Sequence, residues 1–462
     1  MPKIKCGLEI HTYIKMDNNT KLFCECKLTD AEPNTNICPV CTAQPGCKPM
    51  LPNKEAVEKS VKIALMLQCK INNILLFQRK HYSWPDLPAG YQRTISGSYA
   101  LPLGQEGNFL GIGIGDVHLE EDPARWDPES GTVDYNRSGT PLVEIVTEPD
   151  FQSAEQVRNW MKALIVTLTY IDAIDPEIGV KADVNVSVEP DFQRIEIKNI
   201  NSFKAITEAI EYEIKRQVND LKEGKIIKQE TRMWDDEKKK TIFMRMKETA
   251  QDYMFIPDPD LPKIEIKKEF IENLEKKLPE RPDSKIMRYV EKWNIDKTDA
   301  SVIASDIYLA EFFEEVAKKA NPVKAAQFVR RDLMRVLNYN NKELKYTELK
   351  PEHISTLLKL LEEKRITEET SKRILEKLAV EPFDVEAYVK KEGLEAVSDK
   401  DLIEQFCKEA VKENLDAVRD YLEGSEKALN FVVGQVMRKS KGKADAKIVK
   451  EIIVKILKRE SI

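Results

Sequence analysis

Four cysteines near the N-terminus come in two close pairs. Cys24 and Cys26 form C-x-C, and after an eleven-residue gap Cys38 and Cys41 form C-x2-C. Thiolates so spaced can close a tetrahedron around Zn²⁺ and staple the loop that carries them. With every coordination position filled by protein, such a site is structural rather than catalytic. Pro33, Pro39, Pro45 and Gly46 suit a tight knuckle, and Cys47 stands near enough to compete as a ligand. Cys6, Cys69 and Cys407 lie outside the pattern and read as small buried residues.

A second group is acidic. In VHLEED, Val117 to Asp122, a histidine stands beside three carboxylates, and no cation follows until Arg125. Solvent exposure, a helix start or a bound cation could each relieve the repulsion. Mg²⁺ prefers oxygen ligands and is commonly held by a few carboxylates together with phosphates. Glu9, His11, Asp183 and Glu196, with either Glu120 or Glu121, fit that chemistry. Glu144 in PLVEIV sits between apolar residues, where an unpaired carboxylate is costly to bury, and is a further active-site candidate.

The elements that must hold these residues read as short strands. In GLEIHTYI, a period of two puts Glu9 and His11 on one face and Leu8 and Ile10 on the other. In KADVNVSV, Asp183, Asn185 and Ser187 oppose Ala182, Val184, Val186 and Val188. A turn at EPDFQ leads into RIEIKNI, giving a hairpin whose polar face carries Asp183, Asn185, Glu196 and Lys198. The competing reading of that face is the wet side of an antiparallel sheet. A helix is expected from about Ser202 to Leu221. Its buried stripe would be Phe203, Ile206, Ile210, Ile214, Val218 and Leu221, and Gly224 would close it. The run GNFLGIGIGD is strand-like, its glycines at 111, 113 and 115 permitting close approach, and no Gly-Lys-Ser/Thr follows to make a phosphate loop.

At 462 residues, with 42% hydrophobic and 33% charged content, the chain suits a soluble globular protein of several domains. No apolar run approaches the ~20 residues that span a bilayer. The start MPKIKCGLEIH lacks a signal-peptide core, so a cytoplasmic location is expected. The net charge of −6 argues against a generic nucleic-acid binder, but it is uneven. From Met437 onward nine Lys/Arg face three acids, a local +6 that leaves −12 for the rest. That tail, with Lys439, Lys441 and Lys443, suits a polyanion contact or a solvated helix face. The fold class expected is α+β: residues 1–290 form a β-rich domain, 291–397 a helical domain, and 398–462 a helical tail capped in places by Ser425 or Asp445.

The strings GLEIH, AEPNTNICPVC, YSWPDLPAGYQ, HLEED, DYNRSGTPLVEIVTEPD, ADVNVSV, IEIKNINSF and FIPDPDLP occur here in this order. Together with the tail EGSEKALNFVVGQVMRKSKGKADAKIV, they resemble the B subunit of the aspartyl/glutamyl-tRNA amidotransferase over nearly the whole chain. The resemblance implies a cradle built on an antiparallel sheet, a helical domain and a tail that grips tRNA. It implies a ligase that uses Mg²⁺ and ATP to phosphorylate the side chain of Asp or Glu mischarged on tRNA(Asn) or tRNA(Gln). Ammonia from a partner glutaminase A subunit then displaces phosphate, and a small C subunit clasps the other two chains. Among site residues it implies Glu9, His11, Glu121, Asp183 and Glu196 at magnesium. Strand parity favours Glu120 beside His118; Glu121 is preferred because the strand need not stay regular to its end. Lys80, with Glu120 and Glu144, is implied in catalysis, and Asn136, Arg137, Asn185 and Lys198 in holding the nucleotide.

The sequence departs from the family pattern at Pro123-Ala124-Arg125 after HLEED, at Ala89-Gly90 before Tyr91 and at Lys181-Ala182 before Asp183. The four cysteines, variable in the family, are complete here, which implies zinc. Two other readings compete. One is the sister subunit specialised for Glu-tRNA(Gln), whose extra synthetase-like insertion has no room in this chain. The other is a non-catalytic, zinc-stapled scaffold that binds tRNA.

Overall fold

A computed structural model describes residues 2–177, 180–200, 202–246, 254–396, 400–440 and 442–460. They fall into two compact units, Met1–Arg281 and Pro282–Ile462.

The first unit is built on one large mixed sheet. Its strands are β1 (Ile4–Tyr13), β2 (Gln78–His81), β3 (Tyr91–Thr94), β4 (Ile112–Glu121), β5 (Pro141–Thr147), β6 (Lys181–Val188), β7 (Ile195–Lys198), β8 (Glu230–Asp235), β9 (Lys240–Met246) and β10 (Met254–Pro257). They lie in the order β9-β8-β7-β6-β1-β5-β4-β3-β2-β10, and Gly104–Phe109 pairs off this path with β4. The sheet is not wholly antiparallel as the resemblance implied. β7 and β8 run parallel, because a long helix carries the chain back between them. Laid flat, ten strands at ~4.8 Å would part the outer two by about 43 Å. Yet Met246 of one outer strand and Met254 of the other are only eight residues apart in sequence, a reach of about 28 Å at most. The sheet must therefore curve, as a cradle does.

One face of the sheet is apolar. Leu8 and Ile10, Leu119 and Val117, Val143 and Ile145, Val184 and Val186, and Ile197 are all buried in one core. Three helices share that core: α1 (Lys54–Met66), α2 (Ala154–Tyr170) and α3 (Phe203–Lys222). Each starts on a side chain that accepts a backbone N–H: Asn53 from Glu55, Ser153 from Gln156, and Ser202 from Ala205. Gly224, with φ +74°, follows the end of α3. The buried stripe of α3 is rotated from the one expected. Glu213 and Gln217 are fully buried, while Ile214, Val218 and Leu221 are half-buried. The cause is polar: the Glu213 carboxylate accepts from Arg216, Gln217 and Thr241, so burial leaves it satisfied.

The second unit is helical. Its apolar residues form two separate clusters, one between Tyr289 and Val389 and one between Ile403 and Leu457. Asp445 caps the last helix by accepting from the Lys447 and Ile448 amides, whereas Ser425 heads its helix without a side-chain bond. No helix among the described residues is long and apolar enough to cross a membrane.

Candidate active site and cysteine knuckle

Residues directly opposite on neighbouring strands share a face of the sheet. On the face away from the helices, Asn185 stands opposite Glu196, and Asp183 opposite Glu9. His11 stands opposite Glu144, and Glu144 opposite His118. Glu120 stands opposite Thr94, and Lys80 opposite Gln92. With Lys198 two residues beyond Glu196, these side chains form a polar belt from β7 through β6, β1, β5, β4 and β3 to β2. The alternation that buries Leu8, Ile10, Leu119 and Val184 on one side forces Glu9, His11, Glu120 and Asp183 to the other.

The centre of the belt is a cluster of histidines and carboxylates. His11 Nε2 lies 3.4 Å from Glu144 Oε2, and His118 Nε2 lies 3.0 Å from the same oxygen. His118 Nδ1 is 2.8 Å from Asp116 Oδ1, and its Nε2 is 3.8 Å from Glu120 Oε2. His11, Glu120 and Glu144 each offer one ligand atom, all within 4.8 Å of one another. Glu120 and His118 are 3% and 4% exposed, so these charges act with little screening from water. Burial, with the charge of Glu144, pushes the Glu120 carboxyl up. Burial works against a charged His11, but the hydrogen bond and charge of Glu144, with Glu120 and Asp183, outweigh it and push the ring up to about 9. His118 is driven well up in the same way, against its burial, by Glu144 and Asp116. Glu144 is held well below the usual carboxylate range: burial opposes this, and the two histidines prevail.

Toward β7 the belt changes character. Lys198 pairs with Asp183 and lies 3.8 Å from Glu196. Asn185 donates to Glu9 at 3.0 Å, and Thr231 donates to Glu196 at 2.8 Å. Burial disfavours the charged Lys198, yet Asp183 and Glu196 push its ammonium up. At the other end, Lys80 Nζ lies 5.9 Å from the Tyr82 ring centre, and its charge reaches Glu120. Two glycines of β4 open this strand to a neighbour: a Cβ at Gly113 or Gly115 would lie 2.8 or 2.9 Å from the Glu148 side chain.

Glu121 lies elsewhere. β4 keeps its register through Glu121, which pairs with Pro141, so its side chain turns to the opposite face. There it accepts from the Arg93 amide at 3.1 Å and from Arg93 Nη1 at 3.2 Å. Arg93 in turn reaches Asp258 at 2.9 Å, and Arg79 bridges Asp258 and Asp260 at 3.0 and 2.9 Å. The irregular strand end that would favour Glu121 is absent, and the parity that favours Glu120 holds. The parts Asp116 and His118 play in the cluster escape the sequence reading, although both alternate with Val117 and Leu119 in the same strand.

The four cysteines gather in the knuckle. Cys24, Cys26, Cys38 and Cys41 bring their sulfurs within 4.8 Å of one another, and Cys38 Sγ and Cys41 Sγ are 3.9 Å apart. Four convergent sulfurs fit a metal such as zinc. Cys41 is pushed down to about 4, first by its hydrogen bond with Cys24 and then, against burial, by the Cys38 amide and Lys21. Cys47 is exposed and outside the group. Asn136 and Arg137 belong to this neighbourhood. Asn136 accepts from the Asn36 amide at 2.9 Å and donates to the Glu32 carbonyl at 2.8 Å. Arg137 donates to the Pro123 and Ala124 carbonyls and pairs with Asp122 at 3.1 Å. In the tail, Lys439 pairs with Glu409 and Glu413 at 3.2 and 2.7 Å, and Lys443 is half-buried. Lys441 lies outside the described residues.

A curved sheet with a buried polar belt, a cysteine knuckle and a following helical unit is the organisation of an amidotransferase B subunit. Residues 4–272 match the GatB/GatE catalytic domain, and residues 311–457 match the GatB domain. The chain is 45% identical over 468 residues to the B subunit of the aspartyl/glutamyl-tRNA(Asn/Gln) amidotransferase from Methanocaldococcus jannaschii, covering 98% of this chain and 97% of that protein. It is equally similar, 45% over 453 residues, to the same-named protein of Methanothermobacter thermautotrophicus, covering 97% of this chain and 99% of that protein. The chain belongs to the family of the aspartyl/glutamyl-tRNA amidotransferase B subunits.

Proposed function

We propose that this chain carries out the ligase half of a tRNA-dependent amidation. The proposed reaction transfers the γ-phosphoryl of ATP to the side-chain carboxylate of Asp or Glu mischarged on tRNA, releasing ADP. Ammonia then attacks the acyl carbon, phosphate leaves, and the amide remains. A free carboxylate could not react this way, since oxide would have to depart. The observation that carries the reading is the belt itself: acids, histidines and lysines from seven strands converge on one face, in a chain that belongs to this family.

His11, Glu120 and Glu144 would hold a divalent cation, taken here as Mg²⁺, and Glu9, Asp183 and Glu196 stand beside them. When bound, the cation would offset the charge concentrated on the transferred phosphoryl group. The donor set fits: two carboxylates and one ring nitrogen lie close enough to share an ion, and without one the Glu120 carboxyl is destabilised by burial and by Glu144. Glu120 thus takes the metal-holding place in preference to Glu121, which instead anchors Arg93. His118, gripped by Asp116 and Glu144, orients the Glu144 carboxylate. Lys198 and Lys80, at opposite ends of the belt, are the cations that face phosphate oxygens, and Asn185 fixes Glu9. The cysteine knuckle would hold zinc as a structural staple, supported from behind by Asn136 and Arg137 rather than using them on nucleotide.

The wider assignment rests on the relatives. Their name marks one part of a larger enzyme, which supports a glutaminase A subunit and a small C subunit as partners and the cytoplasm as the place of work. The three-part domain division places tRNA on the tail, with Lys439, Lys441 and Lys443 as contacts. The test is ATP turnover in the complex with its partner amidase, using Asp-tRNA(Asn) and Glu-tRNA(Gln) separately. Turnover stimulated by either tRNA and abolished by Asp183→Ala, with tRNA binding intact, is the expected result. Binding without turnover in the wild type would favour a scaffold.

A further inference from the structure

Lys21 is 1% exposed, among the largest fully buried side chains in the molecule. A lysine is seldom so deep unless paired, because an ammonium loses its hydration there. Yet among the described residues no carboxylate pairs with it. Its Nζ donates to the Tyr135 carbonyl at 3.0 Å, which satisfies one of three N–H groups and supplies no countercharge.

What faces Lys21 is the cysteine knuckle. Its own backbone amide donates to the Cys26 carbonyl at 3.1 Å, so the chain sets it within the C-x-C turn. Its side chain and that of Cys41 flank the same glycine: a Cβ at Gly139 would meet Lys21 Cδ at 3.6 Å and Cys41 Cβ at 3.9 Å. Ser138, beside that glycine, donates to the Cys41 carbonyl at 2.8 Å and fixes the approach. The ammonium acts on the Cys41 sulfur both as a charge and as a hydrogen-bond donor. Four thiolates around a dication carry a net charge of −2, an anion that is itself costly to bury.

We propose that Lys21 is the built-in countercation of the tetrathiolate site, a positioning residue that sets how tightly and how durably the knuckle holds its metal. The proposal rests on the reading of the four cysteines as a zinc site. Partners just outside the ligand shell typically change metal affinity by about 10- to 100-fold. Part of that effect here is electrostatic and part is the N–H donated toward sulfur, which restrains its protonation and loss.

The experiment measures zinc content and zinc affinity, by chelator competition, in the full-length wild type and in two variants. Lys21→Met removes both the charge and the donor. Lys21→Gln keeps a donor for the Tyr135 carbonyl while removing the charge, which preserves a testable protein where the methionine variant does not fold. The wild type is expected to hold one zinc, and each folded variant to bind it on the order of 10- to 100-fold more weakly and release it faster. In a Cys38→His background, where a neutral imidazole replaces one thiolate, the loss caused by Lys21→Gln should shrink. Wild-type protein without zinc would overturn the metal reading and this proposal with it. Zinc bound equally by wild type and Lys21→Gln would leave the metal reading intact and overturn the countercation alone. An undiminished loss in the Cys38→His background would mean that Lys21 acts through packing and would also overturn it.

Discussion

The knuckle and the belt solve the same problem, many like charges in a small space, by opposite routes. The knuckle draws four sulfurs from eighteen consecutive residues, Cys24 to Cys41, and one buried lysine attends them. The belt draws its groups from strands as far apart in sequence as Glu9 and Lys198, and mixes cations among the acids throughout. The knuckle's geometry depends on a local loop and its metal. The belt's geometry depends on the whole curved sheet, so each residue there is held by packing on the far side. The first is suited to stabilise; the second can present charge without rearranging.

Changes in the belt should therefore cost activity far more than stability. Glu144→Gln removes the carboxylate that both His11 and His118 engage, and ATP turnover in the complex should fall on the order of 100- to 1,000-fold. A thermal melt of that variant should stay close to wild type. Stripping metal from the knuckle should do the reverse. Chelation is expected to lower the melting temperature by roughly 5–10 °C, at about 2–4 °C per kcal/mol lost. Equal melting curves with and without chelator would break the comparison.

A third effect should come from the network behind the belt. Asp258 is held below the usual carboxylate range: burial opposes this, and the bond from Arg79 and the charges of Arg79 and Arg93 overcome it. A depressed carboxyl stabilises the fold above its unfolded pKa and loses that contribution as pH falls through the folded value. The gap in melting temperature between wild type and Asp258→Asn should thus be full at neutral pH and close as pH drops below about 4. A gap that widens in acid would contradict the ion-pair assignment. The smallest effect is expected in the tail. Lys443→Gln should lower the salt slope of tRNA binding by about 1, if Lys443 touches a phosphate, and Lys439→Gln by less, because Glu409 and Glu413 already pair it.

Much of this is legible in the sequence where the signal is local. Cysteine spacing identifies the knuckle group, and the period of two puts Glu9 with His11 and Asp183 with Asn185. The hairpin through EPDFQ and the helix after Ser202 follow from turn and capping residues. What is not legible depends on contacts between distant segments. Nothing in the spacing of Glu213 shows that Arg216 and Thr241 would satisfy it, so the stripe of α3 is expected one residue off. The parallel β7–β8 pair follows from where α3 returns the chain. Lys21 looks like any surface lysine until its burial is seen. Glu121 shows the opposite failure, since plain alternation along β4 gives the right neighbour, Glu120, and the resemblance displaces it.

That choice between adjacent carboxylates bears directly on whether strands far apart in sequence jointly hold the divalent cation. Binding of Mn²⁺, as a spectroscopic stand-in for Mg²⁺, can be titrated by electron paramagnetic resonance in wild type, Glu120→Gln and Glu121→Gln. The expected result is a site lost or weakened at least about tenfold in Glu120→Gln and retained in Glu121→Gln. Loss in Glu121→Gln with full binding in Glu120→Gln would contradict the cluster of His11, Glu120 and Glu144 as the cation's home.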